Sequence, residues 1–338
     1  MKNDKDKVIK KELAIIILDW NGVADTEECL YTLRNFDLYD IYLLDNGSRE
    51  SNTEKLREML SREENKNISE ECTLPLSDVG SKPIKFIYSE YNYGFAGGNN
   101  LIANSICKQY EYILLLNNDT YVPEGTIENM INSIKVHGCT VLTCDIRNYY
   151  DRRELWNAGG YFTIIGERKY FSKNHINRLK RIGVNYIDAE FITGCAMLID
   201  CRQIREKGLF TDKFFHGEED FNLCYKLKLD NKKVGVDLET VIYHKVGRTI
   251  SRMSHSKRNY NGMLVNYVNR VIDFKEFYSH PRWVLWRALY TTLLYIRRIA
   301  KGMPLRDATV LCRRIMELSS KYDNVKKPVF DEIMRLHW

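Results

Sequence analysis

The sequence predicts an α/β fold, a mostly parallel central sheet flanked by helices, followed by a helical C-terminal extension. Three observations predict it. Before residue 125, short apolar runs bounded by Asn, Asp and Gly alternate four times with helix-period segments, the pattern of an open sheet covered on both faces. From Arg258 onward the pattern turns helical and stays so. The 338 residues, 44% hydrophobic and 28% charged, suffice to bury one large α/β core and an extension. The expected division is 1–255 for the α/β domain and 256–338 for the basic, amphipathic extension.

Leu13 to Leu18 (LAIIIL) reads as a buried parallel strand, short, Ile-rich and closed by the Asn21-Gly22 turn signal. A helix follows, with Asp25 or Thr26 as N-cap, acids in its first turn, and Cys29, Leu30 and Leu33 on its apolar face. Asp40 to Leu44 is a second strand, ending in Asp45-Asn46-Gly47-Ser48, and Thr53 to Leu60 a second helix. Ser61 to Pro83 is polar and weakly periodic, which reads as a surface insertion. Ile84 to Tyr88 is a third strand, followed by a glycine-rich segment from Tyr93 to Asn100 and a helix from about Asn99 to Gln109. Tyr112 to Leu116 is a fourth strand, ending in Asn117-Asn118-Asp119. The second half is less regular. It offers strands at Val141 to Asp145, Phe191 to Ile199, Val234 to Val236 and Thr240 to His244. A Gly159-Gly160 turn lies between aromatics, and Phe214 to Lys228 is a loop leading into a helix.

Lys and Arg exceed Asp and Glu by six, but the excess is local: Pro281 to Ile315 carries eight cations and one Asp, so the remainder sums to −1. A near-neutral body argues against a nucleic-acid partner. Nine cysteines without Cys-x-x-Cys, and an N-terminal apolar run broken by Asp19, read as reduced thiols in a cytoplasmic protein without a signal peptide. The longest uncharged apolar run near the end, Ala288 to Ile296, is nine residues. A membrane-spanning helix needs about 20.

In open α/β sheets, ligands bind beyond the carboxyl ends of the strands. Here four strands end in Trp20-Asn21-Gly22, Asp45 to Ser48, Asn92 to Asn100, and Asn117 to Asp119. Such residues also make turns, but four endings in succession line one rim. Gly94-Phe95-Ala96-Gly97-Gly98 is neither a Walker loop nor G-x-G-x-x-G. At a helix start it still offers N–H groups to a diphosphate or to sugar hydroxyls. Asp119, at the mouth of a buried strand, suits Mg²⁺ or Mn²⁺, which take one or two carboxylates plus phosphate oxygens. Val122-Pro123-Glu124 after it fits a helix-capping Asp equally. In His216 to Phe221 (HGEEDF), three carboxylates stand in a row at a helix start. There the macrodipole favours ionised Asp220, as a general base requires; simple capping by acids is the alternative. His244 is a metal ligand through a neutral imidazole, or a turn residue.

In order along the chain, IIILDWNG with CLYTL, LLDNGS, NYGFAGGNN, LLLNNDT, WNAGG, FITGCAMLI and FFHGEEDFNLCYKL resemble the family-2 glycosyltransferases, in particular their bacterial rhamnosyltransferase-like branch. The resemblance runs from about Leu13 to His244. It implies a GT-A fold, Rossmann-like, and inverting transfer from a nucleotide-diphospho-sugar with Mg²⁺ or Mn²⁺. The implied acceptor is a glycan or polyprenyl-linked glycan in cell-surface polysaccharide synthesis, and the branch suggests dTDP-rhamnose as donor. By position, Asp45 is implied to meet the nucleotide base, with Trp20 and Asn21 lining its pocket. Asn92, Gly94, Gly97 and Asn99 are implied to lie beside the donor sugar and phosphates. Asn117-Asn118-Asp119 stands for the D-x-D motif, so Asp119 is the direct metal ligand, Asn118 lies on the donor side, and His244 completes the metal site. Glu219-Asp220 corresponds to the E-D motif, whose Asp is the catalytic base. Trp156, Gly159-Gly160 and Gly194 fall on the acceptor side. Tyr267-Val268-Asn269-Arg270 matches a downstream Tyr-x-x-Arg-Asn signature only loosely, and no role is implied there.

In the tail, Trp286, Leu289, Leu293 and Ile296 fall on one helical face, flanked by Arg282, Arg287, Arg297, Arg298 and Lys301. Such a helix suits peripheral contact of residues 281–315 with the inner face of the cytoplasmic membrane. A helix packed on the catalytic body, or a homodimer contact, fits the same pattern. A sugar nucleotidyltransferase is the rival enzyme, disfavoured because its early glycine-rich, basic signature is missing between Leu13 and Asp25. A catalytically inactive glycan-binding or scaffold protein is the other rival, and Asp119, Asp220 and His244 weigh against it.

Overall fold

Residues 11–74, 76, 81–204, 208–246 and 260–338 are described by the computed structural model. The first apolar run becomes β1 (Leu13–Asp19), whose side chains are buried on both faces, as a central parallel strand requires. The helix α1 (Val23–Thr32) starts from Gly22, not from Asp25 or Thr26. Both of those side chains are taken elsewhere: Thr26 Oγ1 donates to Asp19 at 2.6 Å, and Asp25 accepts from Lys245 Nζ at 2.8 Å. Strand β2 (Tyr39–Asn46) runs parallel to β1, with Asp19 level with Asp45.

Next come α2 (Glu50–Ser61), α3 (Glu63–Lys66), β3 (Ser69–Cys72) and β4 (Ile84–Ser89). The segment from Ser61 to Pro83 is therefore not a bare insertion, since β3 pairs in parallel with β4 at the sheet edge. Its sequence SEEC shows no apolar period because its polar side chains are held by local partners: Ser69 Oγ donates to the Leu60 carbonyl at 2.7 Å, and Glu71 pairs with Arg57. Residues 75 and 77–80 of that segment lie outside the described residues. The helix α4 (Gly94–Ile106) starts at Gly94 and not near Asn99, so the glycines form its first turns. Strand β5 (Tyr112–Asn117) pairs in parallel with β1, and the short β6 (Thr120–Tyr121) follows.

The second half adds α5 (Thr126–His137), β7 (Val141–Asn148), β8 (Leu155–Asn157) and the hairpin β9 (Gly160–Phe162) and β10 (Arg168–Tyr170). Then come α6 (Lys173–Arg181), β11 (Tyr186–Ala189), β12 (Ala196–Asp200), α7 (Cys201–Ile204), α8 (Glu219–Leu229) and β13 (Val234–His244). The strand expected from Phe191 starts only at Ala196. The two short strands expected before His244 are one strand, bulged between Asp237 and Val241. Asp237 Oδ1 ties the bulge by accepting from the N–H groups of Glu239 (2.8 Å) and Thr240 (3.2 Å).

The sheet order is β11-β13-β7-β12-β5-β1-β2-β4-β3, with β6 paired to β13 and β8 to β7. The run from β5 to β3 is parallel, while β12 is antiparallel to β5 and β7. Apolar cores fill both faces.

A third core joins α9 (Tyr260–Phe277), α10 (His280–Ala300), α11 (Leu305–Lys321) and α12 (Lys327–Met334). The expected boundary at 255/256 lies outside the described residues. The stripe expected on α10 divides. Trp283, Trp286, Tyr290 and Leu294 are buried, whereas Leu285, Leu289 and Ile296 are exposed. The rings choose the inner face because partners wait there: Trp286 stacks on Phe274 (4.4 Å) and Tyr290 (5.0 Å). Its Nε1 donates to the carbonyl of Ile165 at 2.9 Å, and Trp283 Nε1 to that of Val271 at 2.7 Å. Among the described residues, no helix is long and apolar enough to cross a membrane.

Trp286→Ala is expected to cost about 3–5 kcal/mol of stability, read as a lower urea midpoint. An unchanged midpoint would place Trp286 outside the core.

Candidate active site

The carboxyl ends of β1, β2, β4 and β5 meet on one rim, and Asp19 is its hub. This carboxylate has no exposed surface. It accepts from Gly22 N–H (3.2 Å), Thr26 Oγ1 (2.6 Å), Asn52 Nδ2 (2.8 Å) and Asn118 Nδ2 (3.1 Å). Burial pushes its pKa above the usual carboxylate range, against those bonds. The sequence reading used Asp19 only as the end of an apolar run. The available signal was an acid level with the acid that ends the next strand. Asp45 is equally buried and accepts from Ser48 N–H at 3.1 Å and Thr53 Oγ1 at 2.5 Å. Asn118 also donates to Thr26 Oγ1 at 2.9 Å, so Asp45 and Asn118 use their polar atoms within the rim. Asn21, left-handed at φ 57°, joins two loops: its N–H donates to Ser48 Oγ (2.8 Å) and its Oδ1 accepts from Arg49 N–H (3.0 Å). Trp20, Asn92 and Gly97 are half-buried along the edge.

Gly94 sits at φ 74°, and a Cβ there would lie 2.0 Å from the carbonyl oxygen of Phe215. Only glycine lets α4 approach the Phe214–Glu218 loop so closely. Phe95 N–H donates to that same carbonyl at 3.2 Å. Asn46 pins the other side, accepting from Tyr93 N–H and donating to Gly94 O, both at 3.0 Å. Asn92 Oδ1 accepts from Gly94 N–H at 2.8 Å. Asn99 is buried and donates to Phe95 O at 2.9 Å, inside its own helix.

Because β6 pairs with β13, His244 lies opposite Thr120 and next to Asp119. His244 Nε2 is 2.9 Å from Asp119 Oδ1, and both residues are buried. Trp156 walls the corner, its ring 4.3 Å from the imidazole, edge to face. Asn117 Nδ2 approaches His244 Nε2 at 3.5 Å, while the buried Nδ1 has no partner among the described residues. An oxygen and a nitrogen donor at this separation fit neighbouring ligands of one divalent ion. Among the described residues no group of three or more His, Cys, Asp or Glu forms a closed cage. The remaining positions of an ion held there would be open to phosphate oxygens.

The segment Thr193 to Cys195 links this corner to the acidic helix start. Asn117 N–H donates to Cys195 O at 2.8 Å, and Gly194 N–H donates to Asp220 Oδ2 at 3.3 Å. A Cβ on Gly194 would meet the Phe95 ring at 2.8 Å. Ahead of α8, Gly217 (φ 81°) and Glu218 (φ 85°) are both left-handed. For Glu218 that conformation costs about 1–2 kcal/mol. A buried ion pair with Arg168 holds it, and the guanidinium lies 3.0 Å above the Phe221 ring. Glu219 is buried, with no partner for Oε2 among the described residues, whereas Asp220 is half-buried. Burial first, then the Glu219 charge, holds Asp220 well above the usual carboxylate range, and burial does the same to Glu219. Burial keeps His216 neutral to lower pH than usual.

The helical extension braces this turn. Asn269 Nδ2, from α9, donates to the carbonyls of His216 (3.0 Å) and Gly217 (3.1 Å). Asn222 Nδ2 donates to buried Asp273 at 2.6 Å. Asn269 and Arg168 are site residues that sequence reasoning left without a role. For Asn269 the loose Tyr267-Val268-Asn269-Arg270 match was the signal.

Residues 14–205 match Glycosyl transferase family 2. The chain belongs to that family; it is a glycosyltransferase with a GT-A fold. Of the chain, 87% superposes on a crystal structure of GalNAc-T7 with UDP, GalNAc and Mn²⁺, at TM-score 0.54 and 14% identity. The chain spans 59% of that protein's chain. Mannosyltransferase PcManGT from Pyrobaculum calidifontis, in complex with GDP-Man and Mn²⁺, is similar over 94% of this chain and 88% of its own, at TM-score 0.49 and 12% identity. TarS 1-349 from S. aureus, in complex with UDP-GlcNAc, is similar over 80% of this chain and 69% of its own, at TM-score 0.49 and 13% identity. No curated protein sequence matches the chain.

Two glycine substitutions separate strain from collision. Gly138 has φ 63° and open space around a Cβ, so Gly138→Ala is expected to cost about 1–2 kcal/mol. Gly94→Ala adds the Phe215 carbonyl to the same strain and is expected to cost about 1–3 kcal/mol more. Paired urea melts check this; equal losses would mean that α4 does not lean on that loop.

Proposed function

We propose that the chain is an inverting, metal-dependent glycosyltransferase. It moves a sugar from a nucleotide-diphospho-sugar to a hydroxyl of a glycan or polyprenyl-linked acceptor in cell-surface polysaccharide synthesis. One observation carries the reading: the Asp119–His244 corner and half-buried Asp220 flank the same Thr193–Cys195 segment on the rim of the sheet. The rhamnosyltransferase-like motifs support dTDP-rhamnose as donor. The likeness to a complex holding UDP and Mn²⁺ supports a nucleotide and a divalent ion.

Asp119 and His244 would hold Mg²⁺ or Mn²⁺. When bound, that ion supplies positive charge against the diphosphate leaving group. The N-terminus of α4, with half-buried Gly97 in its first turn, favours the same negative charge through its dipole. Trp20, Asn21 and Asn92 line the donor side, on a rim held by Asp45 and Asn118. Asp220 takes the proton from the acceptor hydroxyl. The oxygen attacks the anomeric carbon opposite the nucleoside diphosphate, whose bond to that carbon breaks with its electron pair. One displacement inverts the centre. Gly194 N–H orients Asp220 and leaves room for the acceptor beside Trp156. Glu219 acts through Asp220, raising its proton affinity toward that of a base working near neutral pH. Exposed Leu285, Leu289 and Ile296 beside Arg282 support peripheral contact with the inner face of the cytoplasmic membrane.

Asp220→Asn is expected to lower turnover about 100- to 10,000-fold while nucleotide-sugar binding, read by calorimetry, persists. Turnover near the wild-type rate removes Asp220 as the base. His244→Ala is expected to weaken the thermal stabilisation given by nucleotide sugar with Mn²⁺. Stabilisation by no nucleotide sugar in a broad panel would sink the reading as a whole.

The acidic pair also sets a pH dependence. Its folded pKa values lie above the unfolded ones. The folded chain therefore holds more protons, and stability falls as pH rises from the ordinary carboxylate range toward neutrality. Activity rises over the same range as Asp220 ionises. Glu219→Gln removes the neighbouring charge. It is expected to move the activity limb to lower pH and raise stability at neutral pH, checked by a pH–rate profile and melts at two pH values.

A further inference from the structure

A second cavity, of about 460 Å³, opens between β10 and the helices α9 and α10. Six cations line it, Arg168, Lys169, Arg270, Arg297, Arg298 and Lys301, against one carboxylate, Glu167. Glu167 is already paired to Arg297, and Arg168 to Glu218. Among the described residues no carboxylate pairs with Lys169, Arg270, Arg298 or Lys301. Among the described residues Arg270 and Arg298 hydrogen-bond to neutral partners, the phenols of Tyr290 (3.0 Å) and Tyr267, and Glu218 acts on Arg270 only through space. Among the described residues the buried Nε of each guanidinium has no partner. Guanidinium groups desolvated in this way, with donors left over, are costly unless an anion comes to them. A planar fork of donors beside ammonium groups suits phosphate oxygens.

The cavity belongs to the base, not to the metal corner. Arg168 reaches from its wall to Glu218, two residues before Asp220, and its charge acts on the Asp220 carboxyl. We propose that this cavity binds a phosphate or diphosphate carried by the acceptor, placing the acceptor hydroxyl at Asp220. The word acceptor rests on the glycosyltransferase reading; the anion site does not. Two sources share the chemistry, a lipid-borne diphosphate and a soluble sugar phosphate.

The test uses the full chain in EDTA, so that inorganic pyrophosphate has no metal at Asp119 to bind. By calorimetry, Lys169→Gln/Lys301→Gln, both at exposed positions, is expected to bind pyrophosphate at least about tenfold more weakly. Arg270→Gln/Arg298→Gln, if folded by circular dichroism, is expected to lose binding, and Asp119→Asn to keep it. Absence of binding to the unsubstituted chain, equal binding by the lysine variant, or loss in Asp119→Asn overturns the proposal. Phosphatidylcholine vesicles carrying a polyprenyl diphosphate decide the source. Flotation that depends on Lys169 and Lys301 assigns the lipid-borne group, and binding of soluble glucose 1-phosphate alone assigns the free one. Thermal stabilisation by nucleotide sugars with Mn²⁺ runs in parallel. Its failure while pyrophosphate binds sinks the glycosyltransferase reading and leaves the anion site; the converse sinks only the anion site.

Discussion

A carboxylate with no access to water ends the central strand, and the rim of the sheet is organised around satisfying it. An ionised carboxylate buried without partners would cost several kcal/mol. Asp19 avoids that cost only if the turn after β1, the start of α2 and the corner after β5 all converge on it. Asn118 illustrates the constraint: once its amide is fixed on Asp19 and Thr26, the neighbouring Asn117 and Asp119 are turned toward His244. The Asp119–His244 contact is thus set by a hydrogen-bond hub on the opposite side of the same three-residue corner.

Asp220 is positioned by a different unit. Asp220 stands on α8, whose start is left-handed at two consecutive residues and would relax if unsupported. Support comes from three directions: Arg168 on Glu218, Asn269 on the carbonyls of His216 and Gly217, and Gly94 beneath Phe215. Asn269 belongs to the helical extension, which is therefore part of the site and not an appendage. The crowding also tunes the chemistry. Glu218, Glu219 and Asp220 are consecutive, only Glu218 has a buried cation in contact, and the other two hold their protons to higher pH.

What the sequence made legible follows from how strongly physics marks it. Runs such as LAIIIL and YILLL have no other low-energy home than a sheet buried on both faces, so the parallel strands and their polar endings were readable. The strand SEEC was not, because on an edge strand the polar side chains find partners in neighbouring segments, as Glu71 does in Arg57, and leave no apolar alternation. The start of α4 was misplaced because glycine carries no helical signal. Its reason for being there, contact with Phe215, is more than a hundred residues away. On α10, periodicity found an apolar face but could not say which rings had partners; Phe274 and Tyr290 decided that. Asn269 and Arg168 act on distant backbone and side chain, which no local spacing reports.

The excess of positive charge between Pro281 and Ile315 has a consequence for the site that its sequence position hides. Arg297, Arg298 and Lys301 come from the end of α10, Arg270 from α9, and Arg168 and Lys169 from the hairpin of the α/β body. Two successive helices and a hairpin far from them in sequence therefore contribute cations to one cavity while offering it a single carboxylate. Evolving such repulsion by chance is disfavoured, since each added cation raises the cost of the others; Arg168 already holds its proton less tightly for burial and for the nearness of Arg270. That cost is tolerated beside the turn that carries Asp220, where Arg168 reaches from the cavity wall to Glu218.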